Sequence, residues 1–184
     1  MATAIAAEPG RPGSPLITET TAYGESPPPS SHTDAELTAL IGLLTGPGAR
    51  IGTVVVGHGR DDASRAAAGA FAVAWQGLGK EIVATVDWPE EAASWLRPAR
   101  RLTASAPDAW VVAAATLGFA QLSRRLRYST DWDPRRTFAF ASLHDARLPA
   151  LAGPETVRGL RGATADGGSW EVRGRWVTSS FGPG

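Results

Sequence analysis

The chain has 184 residues, 43% of them hydrophobic, and its 18 basic and 18 acidic residues give a formal net charge of zero. A chain of this length buries enough apolar surface to fold without a disulfide or structural metal, and the absence of cysteine excludes thiol catalysis and zinc–thiolate sites. The balanced charge argues against a nucleic-acid partner. The first residues lack the basic region and long apolar run of a signal peptide, and we expect no membrane insertion, which leaves the compartment open.

Residues 1–33 are expected to form a partly disordered N-terminal segment, because they are rich in proline, glycine and small polar residues. Within this segment a short β-prone run, "PLITETTA", covers residues 15–22. The Pro- and Ser-rich stretch "ESPPPSSHT" that follows is typical of an extended linker. The folded domain is therefore expected to start at residue 34.

From residue 34 the chain alternates between helical patterns and apolar runs. Asp34 stands where a helix N-cap belongs, and the leucines of the following "AELTALIGLLTG" share one face. The next helical patterns are "DDASRAAAGAFAVAWQGLG", "PEEAASWLRPARRLTASA", "TLGFAQLSRRLRYS" and "DARLPAL". The predicted strands between and after them are "IGTVVV", "EIVATVDW", "PDAWVVAAA", "RTFAFASL" and "VRGLRGATA".

This order predicts an α/β domain over residues 34–166. Strands that are apolar throughout are typical of a parallel sheet covered on both faces, so we expect a Rossmann-like parallel sheet of about five strands with helices on both sides. Residues 167–184 are predicted to be a Gly-rich C-terminal tail. In such sheets ligands bind beyond the carboxyl ends of the strands.

Polar side chains follow several of the predicted strands. His58, between two glycines, suits a turn as well as a ligand contact, and the acids at residues 61–62 suit a helix N-terminus. Trp88 fits either a cleft wall or the core edge, while Thr116 and Asp145 fit either a helix cap or a ligand contact. No nucleophile–base pair and no phosphate-binding glycine pattern accompanies them. The set therefore favours a small polar solute over catalysis or a cofactor.

The order and spacing of these pieces resembles the second lobe of type I periplasmic solute-binding proteins of the branched-chain amino-acid-binding kind. The resemblance covers about residues 15–165 and rests on "PLITETTA", "RIGTVVVGHGRDD", "GLGKEIVATVDW", "APDAWVVAAATLGFAQLSRRLR", "RTFAFASL" and "VRGLRGAT". It implies a periplasmic-binding-protein-like lobe that binds an amino-acid-like solute for an ABC transporter or a sensor. It also implies a non-catalytic protein without a cofactor, in a family that is usually extracytoplasmic.

The resemblance also implies a set of ligand contacts. In the family, hydroxyls and backbone groups of the segment that corresponds to "TTA" hold the charged groups of the solute, and residues at the strand ends complete the cleft. An acid after the fourth strand then meets the solute's ammonium group. The positions implied here are Thr20, Thr21, Ala22, Tyr23, His58, Trp88, Thr116 and Asp145.

Members of that family carry a first lobe of similar size before the "PLIT" strand, whereas about 14 residues precede it here. We therefore expect the chain to be incomplete as a standalone binder. The second wall of the cleft would come from a missing first lobe or from a homo-oligomer partner.

Two alternatives remain open. The stretch "VVVGHGRDDASRAAAGAFA" is similar to the opening of sirohydrochlorin and ferrochelatase-like chelatases, which implies that His58 binds the metal to be inserted. That hypothesis predicts a second His or Glu beside His58, and His144 is the only candidate at the same edge. The other alternative is a degenerate structural or interaction domain.

Overall fold

The computed structural model describes residues 27–181. The strand prediction for residues 15–22 and the predicted contacts at residues 20–23 lie outside this range. The helices are α1 (Asp34–Thr45), α2 (Asp62–Gly77), α3 (Leu96–Thr103), α4 (Thr116–Ser129) and α5 (Leu148–Ala152). The strands are β1 (Thr53–Gly59), β2 (Glu81–Trp88), β3 (Ala109–Ala113), β4 (Thr137–Ala139), β5 (Arg161–Ala163), β6 (Ser169–Arg173) and β7 (Trp176–Ser180).

One sheet organises the described residues. Its strand order is β2-β1-β3-β4-β5-β6-β7, and the first five of these strands pair in parallel. The register places His58 opposite Asp87 on one side and Ala113 on the other. The predicted α/β class and parallel arrangement are therefore confirmed, and the carboxyl ends of β1 to β5 share one edge, called here the carboxyl edge.

The core is divided by the sheet into two layers. On one face, Val54 and Val56 of β1 pack with α1 and α2, whose Leu40 and Phe71 are fully buried. On the other face, Val55 packs in a layer formed with α3, α4 and α5. Successive β1 residues point to opposite faces, and both faces are covered by helices, which explains why the strand is apolar at every core position.

The sheet has seven strands rather than about five. Residues 169–180, predicted as part of a Gly-rich tail, form a hairpin in which β6 pairs antiparallel with β5 and β7 pairs antiparallel with β6. Gly174 at the turn has a φ of 63°, a left-handed conformation that glycine adopts without strain. Trp170 of β6 is buried, whereas Trp176 and Phe181 are 74% and 92% exposed.

Two helix starts also differ from the prediction. Thr33 rather than Asp34 caps α1, because its hydroxyl accepts the Glu36 amide while the Glu36 carboxylate accepts the Thr33 amide. The third helix begins at Leu96 rather than at Pro89. Pro98 lies in its first turn, where the missing N–H breaks no hydrogen bond.

The residues between β2 and α3 serve another helix instead. Glu90 accepts a hydrogen bond of 2.6 Å from the amide of Gly118, at the start of α4. Burial raises the pKa of the Glu90 carboxyl above its ordinary value, against the lowering effect of that amide. An acid at a helix N-terminus is favoured by the helix dipole, so Glu90 is stabilised at the start of α4 rather than within α3.

Candidate functional site

A cleft of about 480 Å³ lies at the carboxyl edge beside β3 and β4. Its walls come from the linker before α1, the N-terminal turns of α1 and α4, the loop after β4 and the loop after β5. The lining residues are Pro27, Pro28, Pro29, Ser30, Ser31, Glu36, Ala115, Thr116, Ala141, Ser142, His144, Asp145, Ala146, Arg147 and Ala165. Parallel strands bring these sequence-distant segments together because their ends meet at one edge.

A hydrogen-bonded group of three side chains forms one wall of the cleft. Thr116 donates its hydroxyl to Asp145 Oδ2 over 2.9 Å. Arg147 donates Nη2 to the same oxygen over 2.7 Å, and its backbone amide donates to Asp145 Oδ1 over 2.8 Å. The Asp145 side chain keeps 18% of its surface exposed, so this organised carboxylate still faces the cleft.

The environment of Asp145 favours its charged form. Burial alone would raise the pKa of its carboxyl, but hydrogen bonds from the Arg147 side chain and backbone and from Thr116 outweigh that effect. The pKa of Asp145 therefore lies below its ordinary value, and the group is a carboxylate at neutral pH. The cleft wall thus presents a fixed negative charge next to the guanidinium of Arg147.

A second acid, Glu36, lies on the α1 side of the cleft and has the opposite behaviour. It is only 2% exposed, and its carboxylate accepts backbone amides of Thr33 and of Ala141 in the loop after β4. Burial raises the pKa of Glu36 above its ordinary value, against those hydrogen bonds, which lower it. Glu36 therefore fixes the position of the loop after β4 rather than presenting a charge to solvent.

Ser142 adds a hydroxyl to the lining. Its Oγ is buried and has no hydrogen-bond partner within residues 27–181. A buried hydroxyl without a partner costs roughly 1–3 kcal/mol, so a ligand or water that bonds to it gains a favourable interaction. Hydroxyls, a carboxylate and a guanidinium together suit the recognition of a small polar molecule.

The half of the carboxyl edge formed by β1 and β2 is arranged differently. Nδ1 of His58 lies 2.7 Å from the carbonyl oxygen of Gly59, so Nδ1 is the donor of this hydrogen bond. Arg60 and Asp87 form an exposed ion pair of 2.5 Å. Asp61 caps α2 by accepting the Ser64 amide, which confirms the helix-start interpretation of this acid.

Trp88 ends β2 at the carboxyl edge, but its side chain packs into the core. Its side chain is 0% exposed, and a Cβ placed on Gly57 would lie 2.8 Å from its Cζ3, so the indole packs closely over that glycine. This placement favours the core-edge interpretation of Trp88 over the ligand contact that the family resemblance implies. The glycine leaves room for the indole inside the core, where the ring removes more apolar surface from water than at the rim.

Of the predicted site residues, Thr116 and Asp145 are in direct contact. His58 lies near the end of β1 at the same edge, and β1 is two strand positions from β4, about 10 Å between the two strands. Sequence reasoning missed Arg147 and Glu36. The "TDAE" capping box at residues 33–36 was a signal for Glu36, and "HDAR" places Arg147 two residues after Asp145.

The second imidazole expected beside His58 is located elsewhere. His144 stacks on Trp170 with ring centroids 5.9 Å apart and lies 2.8 Å from the hydroxyl of Ser179, on the hairpin side of the sheet. Residues 27–181 contain no group of three or more His, Cys, Asp or Glu placed to hold a metal ion. The pairing of His144 with His58 that the chelatase hypothesis predicts is therefore not the arrangement observed.

Comparison with solved structures identifies the fold. A substrate-binding periplasmic protein from Ralstonia solanacearum superposes with a TM-score of 0.63 at 20% identity, over 73% of this chain and 37% of that one. An extracellular ligand-binding receptor from Rhodopseudomonas palustris HaA2 gives a TM-score of 0.58 at 20% identity, over 70% and 34%. The branched-chain amino acid transporter substrate-binding protein LivJ from Streptococcus pneumoniae, solved with isoleucine, gives 0.60 at 14% identity, over 71% and 36%.

These likenesses show that the chain has a periplasmic-binding-protein-like type I fold, and they confirm the resemblance to one lobe. The chain spans little more than a third of the length of the structures that it matches. Comparisons with protein-family profiles and with curated proteins found no match. No helix within residues 27–181 combines the length and hydropathy that a bilayer crossing requires.

Proposed function

We propose that the cleft at the carboxyl edge binds a small zwitterionic solute of the amino-acid class, as one wall of a two-walled site without catalysis. The observation that carries this proposal is the hydrogen-bonded group of Thr116, Asp145 and Arg147 in one wall of the cleft. The structures with the same fold include solute-binding proteins, one of which holds isoleucine.

The chemistry of the wall fits both charges of an amino acid. Asp145, with its lowered pKa, is charged at neutral pH and can accept hydrogen bonds from the ammonium group of the solute. The Arg147 guanidinium matches the geometry of the solute's carboxylate. The hydroxyls of Thr116 and Ser142 add directional hydrogen bonds. Thr116 begins α4, and the loop after β4 is held to α1 by the hydrogen bond from the Ala141 amide to Glu36, so little ordering is needed when a solute arrives.

The mechanism in this proposal is conformational. A second lobe, on the same protein or on a partner chain, faces the carboxyl edge, and the solute favours the closed state by contacting both walls. A transporter or sensor component then recognises that closed state. One wall alone leaves much of the solute in water, whereas closed sites bury about 70–90% of a small ligand. We therefore expect the chain by itself to bind with a dissociation constant on the order of 1 mM.

The test is a nuclear magnetic resonance titration of the full chain. Isoleucine, serine and glycine are each compared with an amine and a carboxylic acid that carry one charge only. The expected result is saturable shifts of the Thr116 and Ser142 amides with the zwitterions and weaker shifts with the analogues. Shifts confined to other surfaces, or none up to 50-fold above the expected constant, would overturn the proposal.

The matched variants are Asp145→Asn and Asp131→Asn. Asp145→Asn removes the ammonium partner and is expected to weaken binding about tenfold. Asp131 is exposed and lies outside the cleft, so Asp131→Asn is expected to bind as the parent does. Equal losses in both variants, or none in Asp145→Asn, would contradict the assignment. If no solute binds and the chain forms a stable oligomer, the structural or interaction domain is the better interpretation.

A further inference from the structure

The opposite edge of the sheet carries a second cleft, which the proposed function does not use. It has a volume of about 610 Å³ and lies at the amino ends of β4 and β5. Because β6 runs antiparallel to β5, the end of β6 and its turn also reach this place. The lining residues are Arg135, Arg158, Gly159, Arg161, Glu171, Val172, Arg173 and Gly174. This set is called the arginine cleft below.

The charge of the arginine cleft differs from that of the whole chain. Its lining holds four guanidinium groups and one carboxylate, whereas the chain as a whole is neutral. Arg173 pairs with Glu171 over 2.9 Å, and Arg158 pairs with Glu155 over 3.4 Å, both at exposed positions. Exposed ion pairs of this kind are worth little and are readily exchanged for another anion.

The other two arginines lack such partners. Within the described part of the chain, the guanidinium groups of Arg135 and Arg161 have no hydrogen-bond or ion-pair partner. Two unpaired positive charges that face one concave surface concentrate a positive potential there. The cleft therefore attracts anions more strongly than an arginine on a convex surface does.

Both unpaired arginines are held in place by packing. The Arg161 guanidinium lies 4.5 Å from the ring centroid of Phe138, a buried residue of β4. The Arg135 side chain lies so close to Gly159 that a Cβ there would be 2.7 Å from Arg135 Cγ. The loop of Gly159 is fixed in turn by a hydrogen bond of 2.9 Å from its amide to the Val172 carbonyl. These contacts reduce the entropy that anion binding must overcome.

We propose that the arginine cleft binds a small anion that carries two linked phosphate groups. A guanidinium donates two parallel hydrogen bonds to phosphate oxygens, and several of them around one cleft match a charge spread over two phosphates. The volume lies in the range of small-ligand sites. The lining contains no aromatic residue, so recognition addresses the charged part of the ligand. This site is independent of the solute cleft at the carboxyl edge.

The test is isothermal titration of the full chain at low ionic strength with pyrophosphate as the probe. Binding of pyrophosphate with an affinity at least tenfold above that of inorganic phosphate and citrate is the expected result. A parallel titration with ADP distinguishes free diphosphate from a nucleotide as the ligand. Affinity equal to that for pyrophosphate indicates a site for the diphosphate alone, and tighter binding indicates a nucleotide. Both outcomes support the proposal. Equal binding of all four anions, or no binding, overturns it.

Variants connect binding to the cleft. Arg135→Gln and Arg161→Gln are each expected to weaken pyrophosphate binding about five- to tenfold, since each removes a charged donor. The control Arg97→Gln changes an exposed arginine on α3, outside the arginine cleft, and is expected to leave binding unchanged. A loss in the control equal to that in the cleft variants would show a general charge effect and overturn the site.

A gain-of-binding variant separates recognition from folding. Glu171→Gln removes the one carboxylate of the lining and frees Arg173 from its ion pair. Pyrophosphate binding should then strengthen about two- to fivefold, because a like charge is removed. Unchanged or weaker binding in a folded Glu171→Gln chain would contradict the proposal. A single-stranded RNA that outcompetes pyrophosphate at matched phosphate concentration would also overturn it, in favour of a nucleic-acid surface.

Discussion

The five parallel strands and the β6–β7 hairpin belong to one sheet but are stabilised differently. The parallel strands are covered by helices on both faces, and most of their core side chains are buried. The hairpin has a covered inner strand, with Trp170 and Val172 buried, and an outer strand whose residues are mostly exposed. From β3 to β7 the strands become steadily less buried, so substitutions in β5, β6 and β7 are expected to have progressively smaller effects on stability.

The largest effect is expected where the two parts meet. A Cβ on Gly162 of β5 would collide with the Ala139 carbonyl oxygen and lie 2.8 Å from Trp170 Cε2. Gly162→Ala should therefore lower the free energy of unfolding by about 3 kcal/mol or more, or prevent folding. The control Gly69→Ala, at an exposed helical site with open space, should stabilise the chain by about 0.5–1 kcal/mol. Urea denaturation measures both, and a neutral Gly162→Ala would contradict the close packing of β5.

The next effect separates the two strands of the hairpin. Trp170 is 2% exposed and donates its indole N–H to the Ala163 carbonyl over 3.0 Å. Trp170→Ala should cost about 3–5 kcal/mol of unfolding free energy, because it removes a large buried ring. Trp176→Ala, on the exposed outer strand, should change it by less than about 0.5 kcal/mol. Thermal and urea unfolding measure both variants. If Trp176→Ala lost as much stability as Trp170→Ala, β7 would have to be covered in solution.

A smaller effect depends on pH and compares an acid of each part. Asp145 has a lowered pKa, so its stabilisation is present above its unfolded pKa of about 4 and is lost as the pH falls through the folded pKa. Asp145→Asn should therefore cost about 1–2 kcal/mol at pH 7, with the difference disappearing in acid. Asp166, before the hairpin, also has a lowered pKa, which comes first from its hydrogen bond with Thr164, but it is exposed.

Asp166→Asn serves as the matched variant for Asp145→Asn. Because water screens the charge of an exposed carboxylate, its loss should change stability less than the loss of Asp145. Guanidinium chloride unfolding between pH 2.5 and 7 provides the measurement. A larger loss of stability at Asp166 than at Asp145 would contradict the inference that the hydrogen bonds to Asp145 in the cleft wall stabilise the fold more.

The smallest effect is expected at Glu36, which ties α1 to the loop after β4. Its pKa is raised by burial, so its contribution is fully present below the unfolded pKa and is lost as the pH rises through the folded pKa. The Thr33 and Ala141 amides donate to different oxygens of the Glu36 carboxylate, so Gln keeps an acceptor for one of them and removes the titrating charge. The parent loses stability as Glu36 ionises and the variant does not, so from about pH 4.5 to 7 the stability of Glu36→Gln should rise relative to that of the parent by on the order of 1 kcal/mol or less. A relative loss over that range would show that the raised pKa is wrong.

The parallel part of the fold could be predicted from the sequence because burial on both faces leaves a plain signal. "TVVV" and "AWVVA" are apolar throughout, and each precedes a segment with a helical period. The hairpin was missed for a physical reason. Its strands have five residues each, they carry Ser, Thr, Glu and Arg on the open side, and glycines flank them, so the alternation is too short to distinguish from a tail.

The candidate site was predictable only in part. Thr116 and Asp145 follow apolar runs, and the rule that parallel strands end at one edge brings them together. The role of Glu36 depends on its contact with Ala141, which is 105 residues away in the sequence. The sequence leaves Trp88 open between a cleft wall and the core edge, because a residue at the end of a strand faces the rim or the interior according to its neighbours. In this case Gly57 leaves space for the ring inside the core.

The reversal of direction between β5 and β6 has a geometric consequence. In an all-parallel arrangement, the last residues of every strand would crowd the same side of the molecule. Here Ser169 begins β6 near the carboxyl edge and Arg173 ends it near the arginine cleft, a span of about 15 Å. Strand β6 thus separates the mixed-charge cleft at the carboxyl edge from the positively charged arginine cleft. Ligands in the two clefts would lie at opposite edges of the sheet without steric conflict.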